Sequence, residues 1–143
     1  MTAKATLENL KKMRLELYNC TDINKKNKTY KEYLQLLRKL AYRGNLEAQY
    51  DLAQHYEDMG VMGYPNPYHN IRKKFYWYSK AANKNHPEAL NNLANMYEKG
   101  EFCKQDIKKA LELFEKAANS GISYMVENYK LLLKQIKNGK YKI

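Results

Sequence analysis

Apolar side chains recur along much of the chain at the spacing of an α-helix. Ala48, Leu52 and Tyr56 follow one another at intervals of four residues, so they share one face of a helix. The segment 88–100 repeats this pattern 41 residues later, with Ala, Leu and Tyr at the same spacing. Self-similarity at a fixed period predicts a repeat protein in which one helical unit occurs more than once.

A second pair of matching segments completes the unit. Segments 73–83 and 109–119 both end in Lys-Ala-Ala-Asn, and they lie 36 residues apart. The offsets of 41 and 36 differ because the loop at 59–70 is five residues longer than its counterpart. Each repeat is therefore predicted to consist of a first helix (helix A), a loop and a second helix (helix B).

The paired alanines of helix B are predicted to be packing positions. Neighbouring helices approach to about 8–10 Å, which favours small side chains where the backbones meet. Ala81 and Ala82 occupy such positions in the first repeat, and Ala117 and Ala118 occupy them in the second. Leucine at Ala82 or Ala118 should overpack the contact, at a cost of about 1–3 kcal/mol.

The helical pattern extends outward in weaker form. Residues 33–45 match the first helix B, and further apolar stripes lie near both ends of the chain. These stripes are Leu7, Leu10, Met13 and Leu17, and Met125, Tyr129, Leu132, Leu133 and Ile136. We therefore predict an all-α fold, an α/α superhelix (solenoid) of seven helices that form three pairs plus a terminal helix.

One domain is expected over residues 1–143. Its parts are a divergent first helix pair at 1–45, a repeat with a long loop at 46–85, a repeat at 86–121, and a terminal capping helix with a basic tail at 122–143. Gly44, Gly100 and Gly121 follow helical stretches and are predicted to end them with positive φ.

The repeated segments resemble a known family. The pattern A-x-x-x-L-A-x-x-Y-x-x-G, followed by K-A-x-x-x-F-x-K-A-A-x-x-G, is similar to the Sel1-like repeat, a solenoid related to the tetratricopeptide repeat with units of about 36 residues. The resemblance is strongest over residues 46–121. The family's Leu-Gly pair is Leu-Ala here, at 52–53 and 93–94, and the first loop is longer than usual. The resemblance implies a scaffold that binds other proteins and is not an enzyme, because the family's motif residues are structural.

The resemblance also implies where a partner would bind. In the related tetratricopeptide solenoid, helix A lines a concave groove, and most corresponding positions of this chain are polar or acidic. They are Glu47, Tyr50, Gln54, Glu57, Glu88, Asn91, Asn95, Glu98 and Glu127, with Tyr124, Leu131 and Lys134 beside Glu127. The segment 47–58 holds four acidic residues and no Lys or Arg. The alternative interpretation is an ordinary solvated surface on a chain rich in Lys and Asn.

The long loop at 59–70 is a second candidate for recognition. It combines rigid prolines with Tyr64 and Tyr68, and tyrosine is enriched at protein interfaces. The alternative is a packed insertion that covers the edge of the neighbouring helices.

Charge modifies this picture. The net charge is +11, with 11 basic and four acidic residues in 1–45 and five Lys and no acidic residue in 128–143. The basic side chains of helix B, Lys73 and Lys74 among them, are expected to lie outside and surround an acidic groove. Aromatic rings interleave with these cations at 71–80, but the repeat alignment assigns Trp77 to the core, and base stacking requires exposed rings. We therefore expect a protein partner rather than nucleic acid.

The sequence contains no motif for catalysis or for a cofactor. Neither phosphate-binding glycine loops nor nucleophile or zinc-protease signatures occur. His55, His69, His86, Cys20 and Cys103 do not have zinc-site spacing, so no metal is expected. For His86, which precedes a proline, a groove or capping role is favoured. No apolar signal segment or membrane-length apolar run occurs, so we expect free thiols in the cytoplasm and no membrane insertion.

The leading functional hypothesis is a Sel1-like adaptor. The alternatives are an antitoxin-like immunity protein that neutralises a toxin and, less favoured, a basic protein that binds nucleic acid. The exposed end helices could also pair two copies of the chain.

Overall fold

A computed structural model describes residues 3–57 and 66–143, with side chains from residue 6 onward. These residues form seven α-helices and no β-strand, which confirms the predicted all-α solenoid. The helices are α1 (Ala3–Asn19), α2 (Ile23–Tyr42), α3 (Leu46–His55), α4 (Ile71–Ala82), α5 (Pro87–Lys99), α6 (Ile107–Ala118) and α7 (Ser123–Lys137). Each helix packs mainly on its neighbours in sequence, as expected of stacked helix pairs.

The helix caps repeat together with the helices. Asn45 and His86 precede α3 and α5, and each accepts a hydrogen bond from the backbone N–H three residues later, at 2.9 and 3.3 Å. Asn70 and Asp106 do the same for α4 and α6, at 3.0 and 2.9 Å. These side chains satisfy N–H groups that have no partner within the helix. The capping role expected of His86 is therefore confirmed.

Helix ends follow the predicted glycine pattern. Gly44, Gly100 and Gly121 all have positive φ. Gly100 caps α5 with φ at 70°, and a Cβ there would lie 3.1 Å from the backbone nitrogen of Gln105. Any other residue at this position would be both strained and crowded.

The core follows the repeated apolar stripes. Its largest fully buried side chains are Leu10, Leu37, Leu52, Tyr78, Met96, Phe114, Met125 and Leu132. Ala81, Ala82 and Ala117 are buried, as expected of close-packed positions. Ala118 is only half-buried, so the packing constraint predicted there is weaker than at Ala82.

Capping and loop contacts mark the start of α2 and the end of α3. Helix α2 begins at Ile23 because Asp22 caps it, accepting hydrogen bonds from the next turn at 2.9 and 3.0 Å. Helix α3 ends at His55, and the carbonyl of Tyr56 accepts a hydrogen bond from Asn70 at 3.2 Å. This bond joins the two ends of the long loop, which explains why α3 ends before Tyr56.

Candidate functional site

Three predicted groove residues come together around His86, at the start of α5. Oε2 of Glu47 lies 3.5 Å from Nε2 of His86, and Oε2 of Glu88 lies 3.4 Å from Nδ1. Tyr50 stacks on the same imidazole, with ring centroids 4.5 Å apart and planes inclined by 19°. His86 is buried, whereas the Glu47 side chain remains 69% exposed. Nδ1 already accepts the cap hydrogen bond from Ala89, so only Nε2 can donate towards a carboxylate, that of Glu47, while Glu88 lies beside the ring.

Tyr124 of α7 lies close enough to this group to interact with it electrostatically. The pKa of Tyr50 is raised to about 12, first by burial and then by Glu88 and Tyr124. The pKa of Tyr124 is also raised, by burial and by Glu88. Both phenols therefore stay protonated at neutral pH and can donate hydrogen bonds. We call Glu47, Tyr50, His86, Glu88 and Tyr124 the helix-A cluster.

Asn91 differs from the open groove position expected of it. It is buried, and its side-chain oxygen accepts a hydrogen bond from Nδ2 of Asn128 at 2.9 Å. The half-buried Asn95 donates to the Asn91 backbone carbonyl at 3.1 Å. Asn91 therefore joins α5 to α7 inside the fold, where a buried amide needs such a partner.

Glu57 also differs from a free groove carboxylate, because it belongs to a partly buried ion network. Nζ of Lys74 lies 2.9 Å from Oε2 of Glu57 and 2.9 Å from Oε1 of Glu101. Tyr78 donates a hydrogen bond to the other oxygen of Glu57, and Gln54 donates to the Tyr78 hydroxyl at 3.2 Å. Burial acts to lower the pKa of Lys74, but the hydrogen bonds to Glu101 and Glu57 and the negative charges of these carboxylates together outweigh burial and raise it. The expectation that Lys74 lies on the solvated basic surface is wrong.

This network is specific to the first repeat. At the offset of 36 residues, Lys74 aligns with Ala110 and Tyr78 aligns with Phe114. Both residues of the second repeat are buried and apolar. A lysine at a position occupied by alanine in the other copy was therefore the sequence signal for a buried charge.

Two further predicted residues have partners near the end of the chain. The hydroxyl of Tyr141 donates to Oε1 of Glu98 at 3.2 Å. Glu127 is exposed and lies 3.5 Å from the ammonium of Lys130, one turn later on α7. Glu98 therefore helps to hold the C-terminal segment, whereas Glu127 stays accessible.

The described end of the long loop packs on α2 and α3. The ring centroid of Tyr68 lies 4.9 Å from that of His55 and 6.0 Å from that of Tyr30. Nδ2 of Asn66 donates to two backbone carbonyls at the end of α3, both at 2.8 Å. Tyr68 remains half-exposed, and Tyr64 lies outside the described residues. The loop end is thus anchored, as the packed-insertion alternative expects, while one tyrosine still faces solvent.

Other chemistry is sparse in the part of the chain that the structure describes. No group of three or more His, Cys, Asp or Glu side chains there is arranged to hold a metal ion. Cys20 and Cys103 are free thiols. Within the described helices, none is long and apolar enough to span a membrane.

Comparison with known proteins identifies one family. The family model described as Sel1 repeat matches residues 46–86 and 87–122, together more than half of the chain. The crystal structure of a Sel1 repeat protein from Oxalobacter formigenes is similar, with a TM-score of 0.61 and 27% identity over 72% of this chain and 40% of that one.

A second solved structure has the same architecture. It is a protective antigen present in uropathogenic Escherichia coli strains, which displays an SLR fold. Its TM-score is 0.60, with 30% identity over 84% of this chain and 23% of that one. The matched region is therefore less than half the length of either relative.

Proposed function

Because this chain belongs to the Sel1 repeat family, we propose that it is a protein-interaction module whose partner binds the helix-A cluster. Sel1 repeats are generally protein-interaction modules, and their fold is typically a scaffold without enzymatic activity. The observation that carries the choice of surface is the meeting of Glu47, Tyr50 and Glu88 around the buried ring of His86. Stacking on the buried His86 ring holds Tyr50 in place before a partner arrives, which reduces the entropy lost on binding.

The chemistry of the cluster favours a basic segment on the partner. Glu47 and Glu88 present carboxylates, and the half-exposed Tyr124 adds an amphipathic ring. Lys or Arg side chains bind such carboxylates, and their aliphatic stems can lie along a tyrosine. In a chain with net charge +11, this acidic site would direct a basic segment to one place.

Capture with immobilised protein tests the proposal. The double variant Glu47→Gln/Glu88→Gln removes both carboxylate charges but keeps the side-chain shape. Glu57 and Glu98 are left unchanged because they hold Lys74, Tyr78 and Tyr141. We expect the double variant to capture the partner at least about tenfold less efficiently, since two charged contacts are lost.

The matched control is Glu32→Gln/Glu112→Gln, which removes two exposed charges from the B helices α2 and α6. Capture by this control should equal that of the unmodified chain. Equal capture by Glu47→Gln/Glu88→Gln and the unmodified chain would overturn the helix-A cluster as the binding surface.

We extend the proposal to the long loop, through Tyr68. Its half-exposed ring lies at the anchored end of the loop, where it could contact a partner with little further ordering. Tyr68→Ser should weaken capture by a smaller factor than Glu47→Gln/Glu88→Gln. An unchanged affinity would leave the loop as a packed insertion only.

The captured partner also decides between an adaptor and an immunity protein. An immunity protein would inhibit the activity of a captured toxin in a stoichiometric assay, whereas an adaptor would bind without inhibition. Size-exclusion chromatography with light scattering tests self-association through the end helices, which predicts a mass above 17.0 kDa that rises with concentration.

A further inference from the structure

A pocket of about 400 Å³ opens between α2 and α4, two B helices, and Leu52 of α3 and the adjacent Tyr56 complete its lining. A volume of this size holds one or two amino-acid side chains. Trp77 lies at the base of the pocket and is almost fully buried. We call this cavity the Trp77 pocket.

Two exposed tyrosines form its walls. The rings of Tyr42 and Tyr76 each meet Trp77 edge-on, with centroids 5.0 Å apart and interplanar angles of 85° and 83°. Tyr42 is 75% exposed, and Tyr76 is half-exposed. Large aromatic side chains that stay open to solvent around a buried ring are typical of a binding site rather than of a core.

Positive charge surrounds these rings. Arg38, Arg72 and Lys73 line the same pocket, and no described lining residue is acidic. Within the described residues, no carboxylate forms an ion pair with any of the three. The pKa of His55 is lowered to about 4, first by burial and then by the positive charges of Arg38 and Lys73.

We propose that the Trp77 pocket binds an acidic peptide segment of a partner protein. An apolar side chain of the segment enters between Tyr42 and Tyr76, and flanking carboxylates pair with Arg38 and Arg72. Arginine suits this role because its planar guanidinium binds a carboxylate through two parallel hydrogen bonds. The site goes beyond the proposed function, since it uses none of the residues of the helix-A cluster and selects the opposite charge.

The ring geometry favours a peptide over a single-stranded nucleic acid. Proteins bind such strands by stacking successive bases on open aromatic side-chain faces. The ammonium of Lys80 lies 5.4 Å from the centroid of the Tyr76 ring, and that of Lys73 lies 5.2 Å from the centroid of the Tyr56 ring. Among the described pocket tyrosines, only Tyr42 has no lysine ammonium over its ring. One open aromatic face is too few to stack a run of bases.

Intrinsic fluorescence provides the test, because Trp77 is the single tryptophan of the chain. The full chain is titrated with acetyl-Glu-Asp-Glu-Leu-Glu-Asp-Glu-amide, with its uncharged counterpart acetyl-Gln-Asn-Gln-Leu-Gln-Asn-Gln-amide, and with octauridylate. We expect a saturable change in Trp77 emission with the acidic peptide that weakens as salt is raised. The uncharged peptide should bind at least about tenfold more weakly.

Two variants locate the binding site. Arg38→Gln/Arg72→Gln should weaken acidic-peptide binding at least about tenfold, and Tyr42→Ala should weaken it by several-fold. Lys109→Gln/Lys116→Gln, which removes two exposed charges from α6, should leave the affinity unchanged. Circular dichroism confirms that each variant is folded, and Tyr42 is so exposed that its removal should not affect folding.

Three results would overturn the proposal. The first is no saturable change with the acidic peptide, and the second is equal affinity in the Arg38→Gln/Arg72→Gln and Lys109→Gln/Lys116→Gln variants. The third is tighter binding of octauridylate than of the acidic peptide, which would assign the pocket to nucleic acid instead.

Discussion

Replacing Lys74 with methionine removes the charge from the ion network of the first repeat while nearly keeping the side-chain volume. Glu57 and Glu101 then lose the ammonium that lies 2.9 Å from each of them. Loss of one partner from a fully buried ion pair costs about 3–5 kcal/mol. The side chains of Glu57 and Glu101 are 27% and 29% exposed, so water stabilises them in part. We therefore expect a loss of about 2–3 kcal/mol in the free energy of unfolding.

Urea denaturation measures this loss. With a slope of about 2 kcal/mol per molar urea for a chain of this size, the midpoint should fall by about 1–1.5 M. Lys109→Met is the matched control, because its ammonium lies 3.8 Å from an exposed Glu112 carboxylate. This control should change the unfolding free energy by less than about 0.5 kcal/mol.

A triple variant separates the charge effect from a packing effect. Lys74→Met combined with Glu57→Gln and Glu101→Gln no longer leaves two carboxylates without a cation, so it should regain at least about 1 kcal/mol over Lys74→Met alone. The reasoning is refuted if Lys74→Met is as stable as Lys109→Met. It is also refuted if the triple variant is no more stable than the single one.

Three other predictions concern packing, pH and polar pairing. In thermal denaturation, Ala82→Leu should lower the free energy of unfolding by about 1–3 kcal/mol, because Ala82 is buried. Ala118→Leu should lower it by less than about 1 kcal/mol, because Ala118 is half-buried, and equal losses would contradict this difference in packing. Burial lowers the pKa of His55 from 6.5 to about 4, so the unfolded chain binds the proton first as pH falls. The contribution of the neutral His55 ring to the free energy of unfolding is therefore complete above pH 6.5 and is lost as pH falls toward 4. For a half-buried ring this loss is about 1–2 kcal/mol. His55→Gln should remove this part of the pH dependence of stability, and an unchanged pH profile would count against it. Asn91→Ala should cost about 1–2 kcal/mol, and adding Asn128→Ala should cost little more because the two form one hydrogen bond; additive losses would contradict the pairing.

The fold was predictable because its information is local and repeated. A stripe of Ala, Leu and Tyr defines one face of helix A, and the second copy repeats the first at offsets of 41 residues for helix A and 36 for helix B. The glycine ends follow from the preference of Gly for positive φ after a helix, and the cap at His86 follows from the proline that begins α5. Seven helices in the predicted order are the result over residues 3–57 and 66–143.

The polar contacts were not predictable in the same way. Periodicity assigns Lys74 and Asn91 to the surface, because charged and amide side chains are usually solvated. Their partners lie far away in sequence, with Glu101 27 residues beyond Lys74 and Asn128 37 residues beyond Asn91. Only the packed arrangement of helices reveals that these groups meet. Of the predicted groove acids, Glu57 and Glu98 have partners within the fold, whereas Glu47, Glu88 and Glu127 stay at least partly exposed.

The exposed aromatic rings of the B helices were missed for a related reason. The repeat alignment correctly buries Trp77, but it does not indicate that Tyr42 and Tyr76 stay exposed on either side of it. Tyr42 comes from the divergent first helix pair, where the repeat pattern is weak. The Trp77 pocket depends on this neighbouring unit and therefore has no signature within a single repeat.

Carboxylate footprinting of the complex with a captured partner is the most direct test of binding at the helix-A cluster. The Glu47 and Glu112 side chains are 69% and 53% exposed, so both should be labelled in the free protein. In the saturated complex we predict that labelling of Glu47 and Glu88 falls several-fold, while labelling of Glu112 on α6 stays constant. Unchanged labelling of Glu47 and Glu88 in that complex would contradict a partner bound at the helix-A cluster.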